Sequence, residues 1–180
     1  MKEHQVIMRT ALYLLKEKNA KILRMSVGQH RTYIKNSLLK NGVAKDAIMK
    51  IEFKGASGNC VRGKGLIKGD IVADLTFGEK HVQKVLQIEA KGGDVYYGIY
   101  TALGQFLVCK HSRSQYYWFA FAFPYSWRKQ LRKVLRCDGK VKPVVDDIIK
   151  QYTKQGQGLW FYFVRNDGYV KQETWKHALR

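Results

Sequence analysis

The chain has 180 residues, with 33 Lys and Arg against 14 Asp and Glu, and carries a formal charge of +19. Its 46% hydrophobic content can offset chain entropy by burial, which excludes a disordered chain, and no uncharged run reaches the ~18–20 residues of a membrane span. Three widely spaced cysteines, Cys60, Cys109 and Cys137, exclude a disulfide framework and a zinc site, and the basic excess points to a polyanionic partner, nucleic acid first.

The opening MKEHQVIMRTALYLLKEK interrupts every apolar run with a base, unlike a signal peptide, so a cytoplasmic location is expected. Val6, Ile7, Leu12, Leu14 and Leu15 recur at roughly helical spacing, and a second helix is expected from Gln29 to Lys40, ahead of the Asn41-Gly42 stop. The type of Lys21–Val27 between them stays open. Helix, turn and helix before Met49–Lys54 also allows a helix-turn-helix with a wing. From Lys54 to Gly69 there are five glycines and four bases, Lys54, Arg62, Lys64 and Lys68, without an acid, which predicts a basic loop.

A clean alternation follows. Ile71, Ala73, Leu75 and Phe77 share one face, with Asp70, Val72, Asp74 and Thr76 on the other, as in a half-buried strand. After turn residues Gly78–His81, Val85–Lys91 alternates again, and the two strands read as a hairpin. Asp94 can cap a helix carrying Val95, Ile99, Leu103, Phe106 and Leu107. Tyr116–Phe123 is apolar without alternation, the signature of a strand covered on both faces. Helices are expected from Ser126 to Arg136 and from Pro143 to Tyr152, then a buried strand Leu159–Val164 closed by Asn166-Asp167-Gly168. This order argues an α/β domain with a mixed sheet flanked by helices.

Antiparallel pairing about Gly78–His81 brings Asp70 opposite or diagonal to Glu89 and Lys91. Two carboxylates and the Ala90 carbonyl are hard oxygen ligands suited to Mg²⁺, with Mn²⁺ expected to substitute, and a neighbouring lysine can stabilise charge on a phosphate under attack. A shared ion requires the Asp70 and Glu89 carboxyls to lie within ~8 Å of each other.

The stretch GDIVADLTF…VLQIEAKGG resembles the signature of PD-(D/E)xK nucleases, with Gly69-Asp70-Ile71-Val72-Ala73 as the Pro-Asp half and Ile88-Glu89-Ala90-Lys91-Gly92 as the Glu-x-Lys half. Gly69 stands in place of the proline. The resemblance covers roughly Gln29–Pro124 and implies a restriction endonuclease-like αβββαβ core. Residues 1–28 would then be a helical N-terminal extension and 125–180 a C-terminal elaboration of one nuclease domain. It implies Asp70, Glu89 and Ala90 as Mg²⁺ ligands, Lys91 as the catalytic lysine that assists the attacking water and the charged transition state, and Gln105, in Ala102-Leu103-Gly104-Gln105-Phe106, as a site-facing glutamine. The first core helix that the resemblance implies, Gln29–Lys40, contains no acid, so a further carboxylate would come from Glu3, Glu17 or Glu52. Hydrolysis would leave 5′-phosphate and 3′-hydroxyl ends.

Two decoys can be set aside. Glu52-Phe53-Lys54 is a second Glu-x-Lys, but Asp46 is too close upstream for an opposing hairpin. Gly58–Gly65 nearly spells a phosphate-binding loop, yet Gly65 replaces the required Ser or Thr and a strand follows, so no nucleotide cofactor is expected. Arg62, Lys64 and Lys68 are placed to track a nucleic-acid backbone, and Arg128, Lys129, Arg132, Lys133 and Arg136 can form a second phosphate-contacting strip. The expected function is a Mg²⁺-dependent DNA endonuclease of restriction, mobile-element or junction-resolving type, acting as a homodimer. The alternatives are a non-catalytic basic nucleic-acid-binding protein and an RNA-processing nuclease.

Overall fold

The computed structural model describes residues 1–54, 70–77, 82–109, 117–137, 143, 146 and 159–178. The elements run α1 (Glu3–Glu17), β1 (Lys21–Ser26), α2 (Arg31–Lys40), α3 (Lys45–Met49), β2 (Glu52–Lys54), β3 (Ile71–Phe77), β4 (Val82–Ala90), α4 (Val95–Cys109), β5 (Tyr117–Pro124), α5 (Arg128–Cys137), β6 (Leu159–Val164), β7 (Val170–Thr174) and α6 (Trp175–Ala178). Among the described residues, no helix is long and apolar enough to cross a membrane.

Seven strands form one mixed sheet in the order β2-β1-β3-β4-β5-β6-β7. The β1, β3 and β4 ladder is antiparallel, as is β6 with β7, whereas β4, β5 and β6 run parallel. Helices cover both faces. On one, Val6, Ile7, Ala11 and Leu14 of α1 meet Ile71, Ala73, Leu86, Ile88 and Ala90, the aliphatic side of the hairpin. On the other, Ile99, Ala102 and Phe106 of α4 and Leu131 and Val134 of α5 pack with Phe119, Phe121, Phe123, Phe161 and Phe163. This two-sided burial explains why β5 and β6 read as unbroken apolar runs.

Four sequence expectations change. Lys21–Val27 contains strand β1, seated between β2 and β3, so α1 and α2 are joined by a strand and form no helix-turn-helix. Residues 1–28 are accordingly not a helical extension, since α1 crosses β3 through β7 and β1 lies inside the sheet. The helix packed on the hairpin is α1 rather than α2. The second hairpin face is also not solvated: Val72 and Gln87 are buried because α4 lies over it. The expected loop 55–69, the turn 78–81 and most of the helix after Pro143 lie outside the described residues.

Candidate active site

Strand register brings the first pair of groups together. Ile71 pairs with Ile88, so one step outward Asp70 stands across from Glu89 at the end of the ladder. The Asp70 carbonyl accepts from Ser26 N at 2.8 Å, and its Oδ2 accepts from Ala90 N at 2.8 Å. Asp70 is thus held between β1 and β4. Lys91 continues the parallel ladder, donating its backbone N–H to Ala122 at 3.0 Å, and shares with Glu89 the face that α4 covers.

The Lys91 ammonium lies at the centre. Glu89 Oε1 contacts it directly, Asp70 Oδ2 is 4.0 Å away and Glu3 Oε2 is 3.9 Å away. The Asp70, Glu89 and Lys91 side chains are 16, 14 and 11% exposed, and Glu3 forms the open rim at 47%. With oxygens of both strand acids this close to one nitrogen, the ~8 Å spacing that a shared ion requires is met. Burial raises the Asp70 pKa well above its ordinary value, the Glu89 charge adds to this, and Lys91 and the Ala90 amide only partly offset it. Burial likewise raises Glu89 against the pull of Lys91. Burial would lower Lys91, but Glu89 and Asp70 outweigh it and hold the ammonium charged.

Glu3 reaches the pocket because two glycines admit the start of the chain. A Cβ on Gly92 would fall 2.5 Å from Glu3 N and 2.7 Å from Met1 O, both backbone atoms. Gly93, at φ +85°, donates to Met1 O at 3.0 Å, and Gln5 Oε1 accepts from Lys2 N at 3.0 Å at the head of α1. On the opposite side, a Cβ on Gly98 would lie 2.5 Å from the Trp127 ring and 3.3 Å from Lys91 Cβ. The missing side chain lets α4 close over the lysine stem.

Of the three acids left open by the sequence, Glu3 is at the pocket. Glu17 lies at the other end of α1, about 21 Å away at 1.5 Å per residue. Glu52 is on β2, where it pairs with Lys54 of its own Glu-x-Lys at 3.2 Å. No local pattern singles out Glu3; the useful signal was Gly92-Gly93, a pair with room for another backbone. Gln105 is exposed on α4, two helical turns beyond Gly98.

The expected basic strip divides. Arg128 forks onto Glu173 at 3.1 and 2.9 Å, and Arg132 donates to the Ala178 carbonyl at 3.1 Å, so both tie α5 to the β7–α6 end. Lys129 and Lys133 remain exposed and share a helical face. Arg62, Lys64 and Lys68 lie outside the described residues, as does Arg136 beyond its helical backbone.

Among the described residues, no group of three or more His, Cys, Asp or Glu is arranged to hold a metal ion. Mg²⁺ rarely needs such a cage, since one or two carboxylates, waters and substrate oxygens complete its shell. Asp70 and Glu89, as buried oxygen donors beside an open rim, fit that mode. No family model, curated protein or solved structure matches the chain.

Proposed function

We propose that the chain is a Mg²⁺-dependent endonuclease acting on DNA, with Mn²⁺ able to substitute, and that it works as a homodimer so that two strands can be cut. The observation that carries the reading is the meeting of Asp70, Glu89 and Glu3 around the Lys91 ammonium. With α2, α3 and β2 taken as an insertion between β1 and β3, the remaining elements α1, β1, β3, β4, α4 and β5, with β4 parallel to β5, agree with an αβββαβ core, which supports the likeness to PD-(D/E)xK nucleases.

Asp70 and Glu89, with the Ala90 carbonyl as a third donor, would hold the ion, whose charge would neutralise the phosphate and make it open to attack. Lys91 supplies a permanent cation against the charge that builds on the phosphate oxygens, in a pocket where burial strengthens the interaction. Glu3, at the wet rim, is the carboxylate placed to orient the attacking water and accept its proton. Lys129 and Lys133 contribute phosphate contacts from α5.

The test is incubation of plasmid, single-stranded and four-way-junction DNA with Mg²⁺ or EDTA, beside Glu89→Ala and Lys91→Ala. Metal-dependent nicks absent from both variants are expected. DNA left intact by the parent, with unchanged binding in the variants, would leave only a basic binding protein. Preferential cutting of RNA in the same series would reassign the substrate.

A further inference from the structure

Tyr96, Tyr97 and Tyr100 stand on the opening turns of α4 with 50, 74 and 46% of their surface in water. The inward side of the same helix is filled by Ile99, Ala102 and Phe106, so the tyrosines are not needed for the core. Their turn is fixed: Asp94 Oδ1 accepts from Tyr97 N at 2.9 Å, and Gly98 seats it against Trp127 and the Lys91 stem. Beside Glu3, the His4 ring stacks on His30 at 3.9 Å and meets the edge of Tyr33 at 5.3 Å, with Tyr33 itself 44% exposed. Exposed aromatic rings therefore stand on α4, the helix that closes over the Lys91 stem, and on α2, against the ring of His4, the residue that follows Glu3.

Exposed flat rings grouped on one helix of a chain of charge +19 suit a partner that is anionic and offers π faces. A duplex keeps its base faces stacked inside and presents only edges and phosphates. Unpaired bases are free to stack on protein rings. We propose that the substrate carries unpaired bases, and that Tyr96, Tyr97 and Tyr100 are the platform on which those bases stack. This deepens the nuclease reading and rests on it for the identity of the pocket.

The test measures binding in EDTA, so that no cleavage intervenes, using three fluorescent probes: a short oligothymidylate, an abasic strand of equal length and a blunt duplex. The parent is expected to bind the oligothymidylate more tightly than the duplex and roughly 10-fold more tightly than the abasic strand. Tyr97→Ala/Tyr100→Ala should erase the preference over the abasic strand, while Tyr97→Trp/Tyr100→Phe keeps it. Thermal melts of both should match the parent, because the rings are exposed. Equal binding of oligothymidylate and abasic strand, tighter binding of the duplex, or a changed oligomeric state in the alanine variant would overturn the proposal. Base-dependent binding without Mg²⁺-dependent cutting would remove the catalytic reading alone, and cutting with base-independent binding would remove the platform alone.

Discussion

Asp70 carries an electrostatic cost set by its surroundings. Its folded-state pKa lies above the ordinary 3.8, so between the two values the folded chain holds a proton that the unfolded chain has released. Stability from this group is present below pH 3.8 and is lost as pH rises through the folded value. Asp70→Asn keeps an acceptor for Ala90 N and removes the buried charge. It should raise the melting temperature by at least ~2 °C at pH 8 without divalent ions, while abolishing cleavage; a melt unchanged or lower would contradict the burial argument. On α5, neighbouring residues separate structure from binding. Burial pushes the Glu173 carboxyl up, yet hydrogen bonds from Arg128 and Lys171 prevail and hold it below its ordinary value. Arg128→Ala leaves that buried acid with Lys171 alone and should lower stability by about 3 kcal/mol in denaturant titration. Lys129→Ala/Lys133→Ala should leave the melt in place and weaken DNA binding.

At the scale of elements, the pocket depends on how α1 docks. Gly92→Ala would drive a methyl group into the backbone of Met1–Glu3, and should cost ~1–3 kcal/mol and reduce cleavage at least tenfold by withdrawing Glu3. Gly104→Ala is the control: a Cβ there meets nothing within 4 Å, so replacing a mid-helix glycine should raise stability by ~0.5–1 kcal/mol with cleavage retained. These docking relations also mark how far the sequence could be read. Alternation around Asp70 and Glu89 sets which side chains share a face, and antiparallel pairing then makes them neighbours, so the strand part of the pocket was visible beforehand. Strand β1 was not, because a register shift between Ile22 and Arg24 breaks its alternation. Glu3 and Glu173 depend on contacts between distant segments, about which local pattern says nothing. The helix after β4 was legible from its capping aspartate and the spacing of its apolar residues.

Across the whole molecule, a charge of +19 makes nucleic-acid binding a matter of counterion release. If six or more phosphates are contacted, affinity should fall by about 10³ or more between ~50 and ~200 mM salt in anisotropy titrations, and a flat response would argue against a polyanionic partner. The sheet itself is assembled from far-apart pieces, with β1 laid against β3 and α1 spread over β3 to β7. Slow folding, in the millisecond-to-second range rather than microseconds, is expected from such non-local pairing.

Three acids gathered about a single ammonium leave a negative spot on an otherwise cationic molecule. A DNA phosphate approaching that spot is repelled where the remainder of the surface draws it in. Neutral replacements should therefore grip more firmly: in chelator, Glu3→Gln and Glu89→Gln are expected to hold the oligonucleotide better than the parent does, and with Mg²⁺ restored they should turn over none of it. Such a molecule would have given up affinity for its target in exchange for the capacity to change it.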